Sequence, residues 1–372
     1  MRKSFFKNID YLILIIPIIL STIGIISIYS ADKPLGLIEF SKQIKWLLIS
    51  IPFLIISASI DYKKLGNISL VGYIILILSL IGVLFTKEIS GARSWFQLDS
   101  FSLQPSEFGK ILTIIFLGNL VSKIQSRDEK EINKFSKLLV VLILGVIPVI
   151  LTAMQPDYGT ALAYVFILIT ILFLANLDYK YILLGIVLGF LILIPIFTKI
   201  LPKYAPHALK RFEIFLNPEK DPLGDGYNTI QSKIAVGSGG IFGMGLHEGT
   251  QTQLGFLHPK TTDFIFSVIS EEMGFIISSL IILMYTIYIS RIIYISKTAK
   301  DKLGTYIAGA IAILTLYHVA QNIGMTMGIM PITGIPLPFL SYGGSSTITN
   351  YIFVGILINI SGRRKRAIME ER

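Results

Sequence analysis

The chain has 372 residues, is 53% hydrophobic and only 15% charged, and contains no cysteine, which rules out a disulfide framework or a thiolate zinc site. Its apolar runs are continuous rather than alternating, which argues against a β-barrel, and many approach the ~20 residues a helix needs to cross a bilayer. The net charge of +10 is spread over the segments between those runs, so it speaks for membrane topology rather than a nucleic-acid partner.

The reading is an all-α polytopic membrane protein, a single domain over 1–372 with ten transmembrane helices. The first apolar run begins at Tyr11 behind Arg2, Lys3 and Lys7. It is too long for a signal peptide and lacks a small-residue cleavage site, so it is taken as an uncleaved span of about 11–30. The remaining spans fall at about 44–60, 68–86, 106–122, 138–154, 158–175, 180–200, 263–289, 303–328 and 346–361. With both termini in the cytoplasm, Lys and Arg number 20 on the inner segments against 4 on the short outer loops, which fixes the orientation. One long extracytoplasmic loop, about 199–262, joins spans seven and eight and is exempt from that rule. The basic tail, 362–372, opens with Arg363 to Arg366 and reads as a stop-transfer and anionic-lipid anchor.

The outer loops carry what is unusual, in the order "SGARSWFQLDSFSLQPSEFGK" from Ser90, "QPDYGTAL" from Gln155, the long loop ending at Asp263, and "GIPLPFLSYGGSS" from Gly334. Loops that only connect are short; these mix charge, aromatics, Gly and Pro, and predict an ordered site over the bundle.

Arg93 and Trp95 suit either an interfacial anchor or recognition of a phosphorylated, glycosylated lipid head group. Glu107 and Lys110, three apart, share a helix face just inside the membrane, with Ser106 as candidate cap. They form a structural ion pair, line a polar cavity, or both. Asp157 is placed to favour a helix dipole or to bind a ligand. Glycines 237, 239, 240, 243, 245 and 249 do not fit a dinucleotide fingerprint; they suit a tightly turning loop or a backbone nest for an anion. His207, His247 and His258 are too scattered for zinc, and His318 reads as a satisfied core residue. Asp263 stands at the start of span eight, where it would suit the helix dipole. Glu271 lies about 80° from it around the helix and Glu272 roughly opposite, and two acids inside a span require a polar cavity or partners.

"GARSWF", "QPSEFGK", "QPDYGTAL", "RFEIFLNPEKDPLGDGYNTIQSKIAVGSGG", "TDFIFSVISEEMG" and "GIPLPFLSYGGSS" occur in the order found in the SEDS (shape, elongation, division and sporulation) family. The sequence resembles this family over essentially its whole length, and most resembles its elongation branch, RodA. The resemblance implies a peptidoglycan glycosyltransferase at the outer face of the bacterial cytoplasmic membrane. Its substrate would be lipid II, as both donor and acceptor. Its partners would be a class B penicillin-binding protein transpeptidase and other elongation-complex membrane proteins. The family's essential acid falls on Asp263, expected to act as general base. Trp95, Glu107 and Lys110 match the next family positions. Arg93, Asp157, Arg211, Gln231, Lys233, Ser238, Gly239, Glu271 and Ser341 complete the expected substrate-binding set, in which Arg93, Lys110, Arg211 and Lys233 are candidate cations for the pyrophosphates. Mg²⁺ or another divalent cation is a candidate cofactor, with no ligands assigned. In "HPKTTDF" the chain has Lys260 where the family often has an acid. The rival readings are a lipid II flippase and a non-catalytic scaffold for the penicillin-binding protein.

Overall fold

A computed structural model describes residues 8–88, 91–98, 101–195, 198, 201–204, 206–222, 224 and 226–364. The helices long enough to organise the fold are α1 (Leu12–Asp32), α2 (Ile38–Ser59), α3 (Tyr62–Val83), α4 (Pro105–Ile124), α5 (Phe135–Ala153), α6 (Tyr158–Leu174), α7 (Tyr179–Pro195), α8 (Pro206–Leu216), α9 (Tyr227–Ser238), α10 (Ile265–Thr298), α11 (Lys302–Thr326) and α12 (Gly344–Gly362). A small antiparallel hairpin, β1 (Phe96–Leu98) and β2 (Phe101–Leu103), precedes α4.

Six of the described helices, α1, α2, α3, α5, α10 and α11, are long and apolar enough to cross a membrane. Their apolar residues divide by position. Leu48, Ile68, Ile75 and Leu78 on α2 and α3 are exposed, whereas α11 is buried almost throughout and packs against α10, α6 and α4. Exposed Ile and Leu on the outer helices form the surface that lipid would cover; α11 is the core.

Three helices start at an aspartate whose carboxylate accepts a first-turn amide: Asp61 from Lys63, Asp157 from Thr160 and Asp301 from Gly304. Each cap contributes about 1 kcal/mol. Ser106 was the expected cap of α4, but the helix begins at Pro105 with Gln104 as N-cap, because Pro fits the first helical position. α2 begins at Ile38, six residues before its predicted start; Asp32 accepts the Phe40 amide at 3.0 Å and fixes the turn into the helix.

α10 departs most from expectation. It starts at Ile265, so Asp263 lies just ahead of the first turn, and it breaks at Gly274, where φ is 76° and ψ −173°. In an unbroken helix the amides of Phe275 and Ile276 would bond the carbonyls of Glu271 and Glu272. Instead, those carbonyls accept from Met244 (2.9 Å) and Gly245 (3.0 Å), while Phe275 and Ile276 donate to Gly240 (2.9 Å) and Ile241 (3.3 Å). Residues 240–245 thus fill both severed bonds, which would otherwise cost several kcal/mol per group away from water. The approach needs glycine: a Cβ on Gly243 would overlap the Glu272 carbonyl oxygen, and one on Gly274 the Gly243 nitrogen. The glycine-rich stretch is therefore ordered by packing into a broken helix.

Candidate functional site

Three consecutive peptide carbonyls lead up to Asp263, and each is held by a different donor. Thr261 O accepts from the Tyr342 amide at 2.9 Å, Thr262 O from Ser341 Oγ at 2.6 Å, and Asp263 O from Asn322 Nδ2 at 2.9 Å. Asn322 is fully buried on α11 and its other amide hydrogen reaches Ile335 O at 2.8 Å. Ser341 Oγ also accepts the Leu337 amide at 2.8 Å. The Asp263 side chain is half-buried beside Gly334, at whose position a Cβ would stand 3.6 Å from Asp263 Oδ2. Gly334 has φ of 71°, a left-handed conformation suited to glycine.

One turn before Asn322 on α11, His318 meets the charges of α4. Lys110 Nζ lies 2.7 Å from Glu107 Oε1 and 3.3 Å from His318 Nε2, and all three residues are at most 7% exposed. His318 also hydrogen-bonds the backbone of Pro336, which has only a carbonyl to offer. The imidazole therefore donates there and accepts from Lys110. The ion pair read from the sequence is present, and His318, read as a core residue, is its third member. Just outside, Gln104 Nε2 donates to Asp157 Oδ2 at 3.0 Å, and the Gln104 amide donates to Ser345 Oγ at 3.1 Å. Burial raises the Asp157 carboxyl above the ordinary aspartate range, opposed by the Thr160 hydrogen bonds and supported by Glu107. "QPSEFGK", "QPDYGTAL", the segment before Asp263 and "GIPLPFLSYGGSS" are thus joined by hydrogen bonds into one assembly.

Glu271 turns away from Asp263. It accepts the amides of Gln251 (2.7 Å) and Thr252 (3.0 Å) and the Thr252 hydroxyl (2.6 Å), capping the short helical turn Thr250–Gln253. Glu272 accepts from Ser30 Oγ at 2.7 Å and Gln253 Nε2 at 2.9 Å. The two acids hold the long loop to α10 and α1. Lys260 donates to Thr252 O at 2.9 Å. Burial holds its ammonium below the ordinary lysine range, opposed by Asp32, Glu272 and Glu39. Glu39 accepts the Thr261 hydroxyl at 2.5 Å, so an acid from α2 also braces this segment.

The other expected contacts lie around this centre. Arg93 is exposed, 4.0 Å from Glu88, and its amide donates to Gln155 O at 3.3 Å. It borders a cleft of about 350 Å³ with Leu84, Met154 and Pro156. Trp95 is half-buried just before β1, and Gln231 is half-buried on α9. Lys233 is exposed, its stem lying over Gly328. Ser238 donates to Ala235 O at 2.9 Å, and Gly239 packs against the Ser270 carbonyl. The Arg211 side chain lies outside the described residues. No group of three or more His, Asp or Glu that could hold a metal ion occurs among the described residues.

The family model FTSW_RODA_SPOVE, described as "Cell cycle protein", matches residues 10–366. The chain belongs to this family. It is the SEDS family that the motifs resemble, and the FtsW/RodA/SpoVE match runs through every segment of the assembly above. Among curated relatives, the "Probable peptidoglycan glycosyltransferase FtsW" of Trichlorobacter lovleyi is 37% identical over 99% of this chain and 97% of its own length. The "Peptidoglycan glycosyltransferase RodA" of Treponema pallidum is 32% identical over 98% and 100%. Among solved structures, a chain described under "Structural coordination of polymerization and crosslinking by a peptidoglycan synthase complex" aligns with a TM-score of 0.80 at 27% identity, covering 96% of this chain and 99% of the other.

The sequence missed Asn322, Glu39 and the coupling of His318 to Lys110. The available signal was polar residues four apart, His318 and Asn322, on one face of an otherwise apolar run.

Proposed function

We propose that this SEDS protein is a peptidoglycan glycosyltransferase that polymerises lipid II at the outer face of the cytoplasmic membrane during cell elongation, with Asp263 as general base. The observation that carries the reading is the placement of Asp263. A half-buried aspartate sits on a segment in which its own carbonyl and the two preceding ones are restrained, next to a network containing Lys110, in a chain whose relatives are named peptidoglycan glycosyltransferases.

In the proposed step, a sugar 4-hydroxyl of one lipid-linked glycan attacks the anomeric carbon of another. The new C–O bond forms as the bond to the lipid pyrophosphate breaks. Asp263 takes the hydroxyl proton and the pyrophosphate leaves as an anion. Lys110, Arg93, Lys233 and Arg211 are the cations proposed to stabilise it. A divalent cation such as Mg²⁺ would be carried chiefly by the pyrophosphate oxygens and would need only one or two protein carboxylates.

Both substrates are membrane-bound, which suits a site at the ends of helices. The proposed topology has α1–α7 and α10–α12 as ten spans with both termini in the cytoplasm, following the inner bias of Lys and Arg. With no native cysteine, single cysteines at the helix ends can be labelled from either side to test it. The assignment to elongation rests on the resemblance of "DPLGDGYNTIQSKIAVGSGG" to RodA. The proposed partner is a class B penicillin-binding protein, consistent with the synthase complex described for the solved relative.

The test is purified protein in liposomes with lipid II, read for glycan strands and for lipid flipping in parallel. Polymer without flipping fits the glycosyltransferase reading. Flipping without polymer would favour the transporter, and neither, in the presence of the penicillin-binding protein, the scaffold.

A further inference from the structure

We infer that Ser341 and Asn322 are positioning residues for Asp263, acting through its main chain as a clamp that sets where the carboxylate stands. The inference deepens the general-base reading and rests on it.

Asp263 precedes α10 and lies outside any repeating hydrogen-bond pattern: the helix begins at Ile265, with Phe264 as its N-cap. Its backbone direction must be set by partners elsewhere in the fold. Ser341 supplies one, with a hydroxyl that both accepts the Leu337 amide (2.8 Å) and donates to Thr262 O (2.6 Å). Both roles of the oxygen are used, which fixes the hydroxyl rotor. Asn322 supplies the other, with two amide hydrogens divided between Asp263 O (2.9 Å) and Ile335 O (2.8 Å). The same amide therefore ties the acid to the chain beside Gly334, the glycine that stands against Asp263 Oδ2.

Ser341 is 3% exposed and Asn322 fully buried, and their mapped hydrogen bonds go to protein. Ser341 was expected to contact substrate; its geometry assigns it to the backbone instead. A shift of about 1 Å in a reacting group can cost on the order of 100-fold in rate, so loss of either anchor should act on turnover more than on substrate binding.

The experiment compares lipid II polymerisation by the full chain in liposomes for wild type, S341A, S341T, N322A, D263N and D263E, with thermal stability measured in parallel. The expected result is a fall in kcat of roughly 10- to 100-fold for S341A and N322A with KM changed by less than about threefold. S341T, which keeps the hydroxyl, should recover most of the loss. On the D263E background, where the carboxylate is already displaced, S341A should cost far less than on wild type; general structural damage would cost the same on both. Wild-type kcat in S341A and N322A, with D263N inactive, would overturn the clamp and leave the base standing. So would failure of S341T to recover activity. An active D263N would remove the base assignment, and the clamp with it.

Discussion

The amide of Met244 donates to the carbonyl of Glu271 at 2.9 Å, in the place that the amide of Phe275 would take in an unbroken helix. Gly243 makes the approach possible, because a side chain there would meet the Glu272 carbonyl. Gly243→Ala must push the loop out of α10 and leave up to four main-chain groups unpaired. We expect a loss of several kcal/mol, seen as little or no monodisperse protein in detergent. Gly237, near the end of α9, has open space around it. Gly237→Ala should be tolerated or stabilising by roughly 0.5–1 kcal/mol. Equal thermal stability of the two variants would contradict the account of the break.

The Glu107–Lys110 pair is buried inside the bundle, and Lys110 also donates to His318. Glu107→Gln leaves a buried ammonium without its counter-charge and should cost about 3–5 kcal/mol, whereas replacing both members by apolar residues should cost much less. Thermal unfolding of the single variant and of Glu107→Leu/Lys110→Met checks this. The double variant should still lack polymerase activity, since Lys110 is a proposed pyrophosphate ligand.

Asp301 caps α11 at the far end. Its Oδ1 accepts the Gly304 amide at 3.0 Å, and its Oδ2 lies 2.9 Å from both Lys63 Nζ and Tyr62 Oη. Burial works to raise the carboxyl, but the Gly304 amide, Lys63 and Tyr62 outweigh it and hold it below the ordinary aspartate range. A carboxyl lowered by folding stabilises the protein above its unfolded pKa of about 3.9, and that contribution fades as pH falls through the lower folded value. Asp301→Ala should therefore lower the thermal midpoint at pH 7, on the scale of a lost cap of about 1 kcal/mol. The gap from wild type should close as pH falls below about 4. A gap that stays constant across that range would contradict the assignment.

Much of this was legible in the sequence, and what was not has a physical cause. The apolar runs gave the main helices because a helix in hydrocarbon needs unbroken apolar length. Glu107 and Lys110 were recognisable as a pair because three-residue spacing puts them on one face. The break at Gly274 was hidden: glycine within an apolar run is compatible with a helix, and the groups that replace its hydrogen bonds come from 240–245, about thirty residues away. Glu271 and Glu272 were legible as acids that need partners inside a span, but which partners was not: Glu271 accepts from residues 251 and 252 of a loop whose path no local pattern fixes. Asn322 was overlooked because its partners are main-chain carbonyls on two other segments.

The central claim is that the Asp263 carboxylate takes the proton of the acceptor hydroxyl. Its most direct test is polymerisation of purified lipid II by the Asp263→Asn protein, reconstituted at wild-type level and with unchanged thermal stability. Asparagine keeps the shape of the side chain and removes its basicity. The account predicts loss of glycan strands by at least about 100-fold, the lower range for a positioned general base. Strands made at the wild-type rate would contradict it.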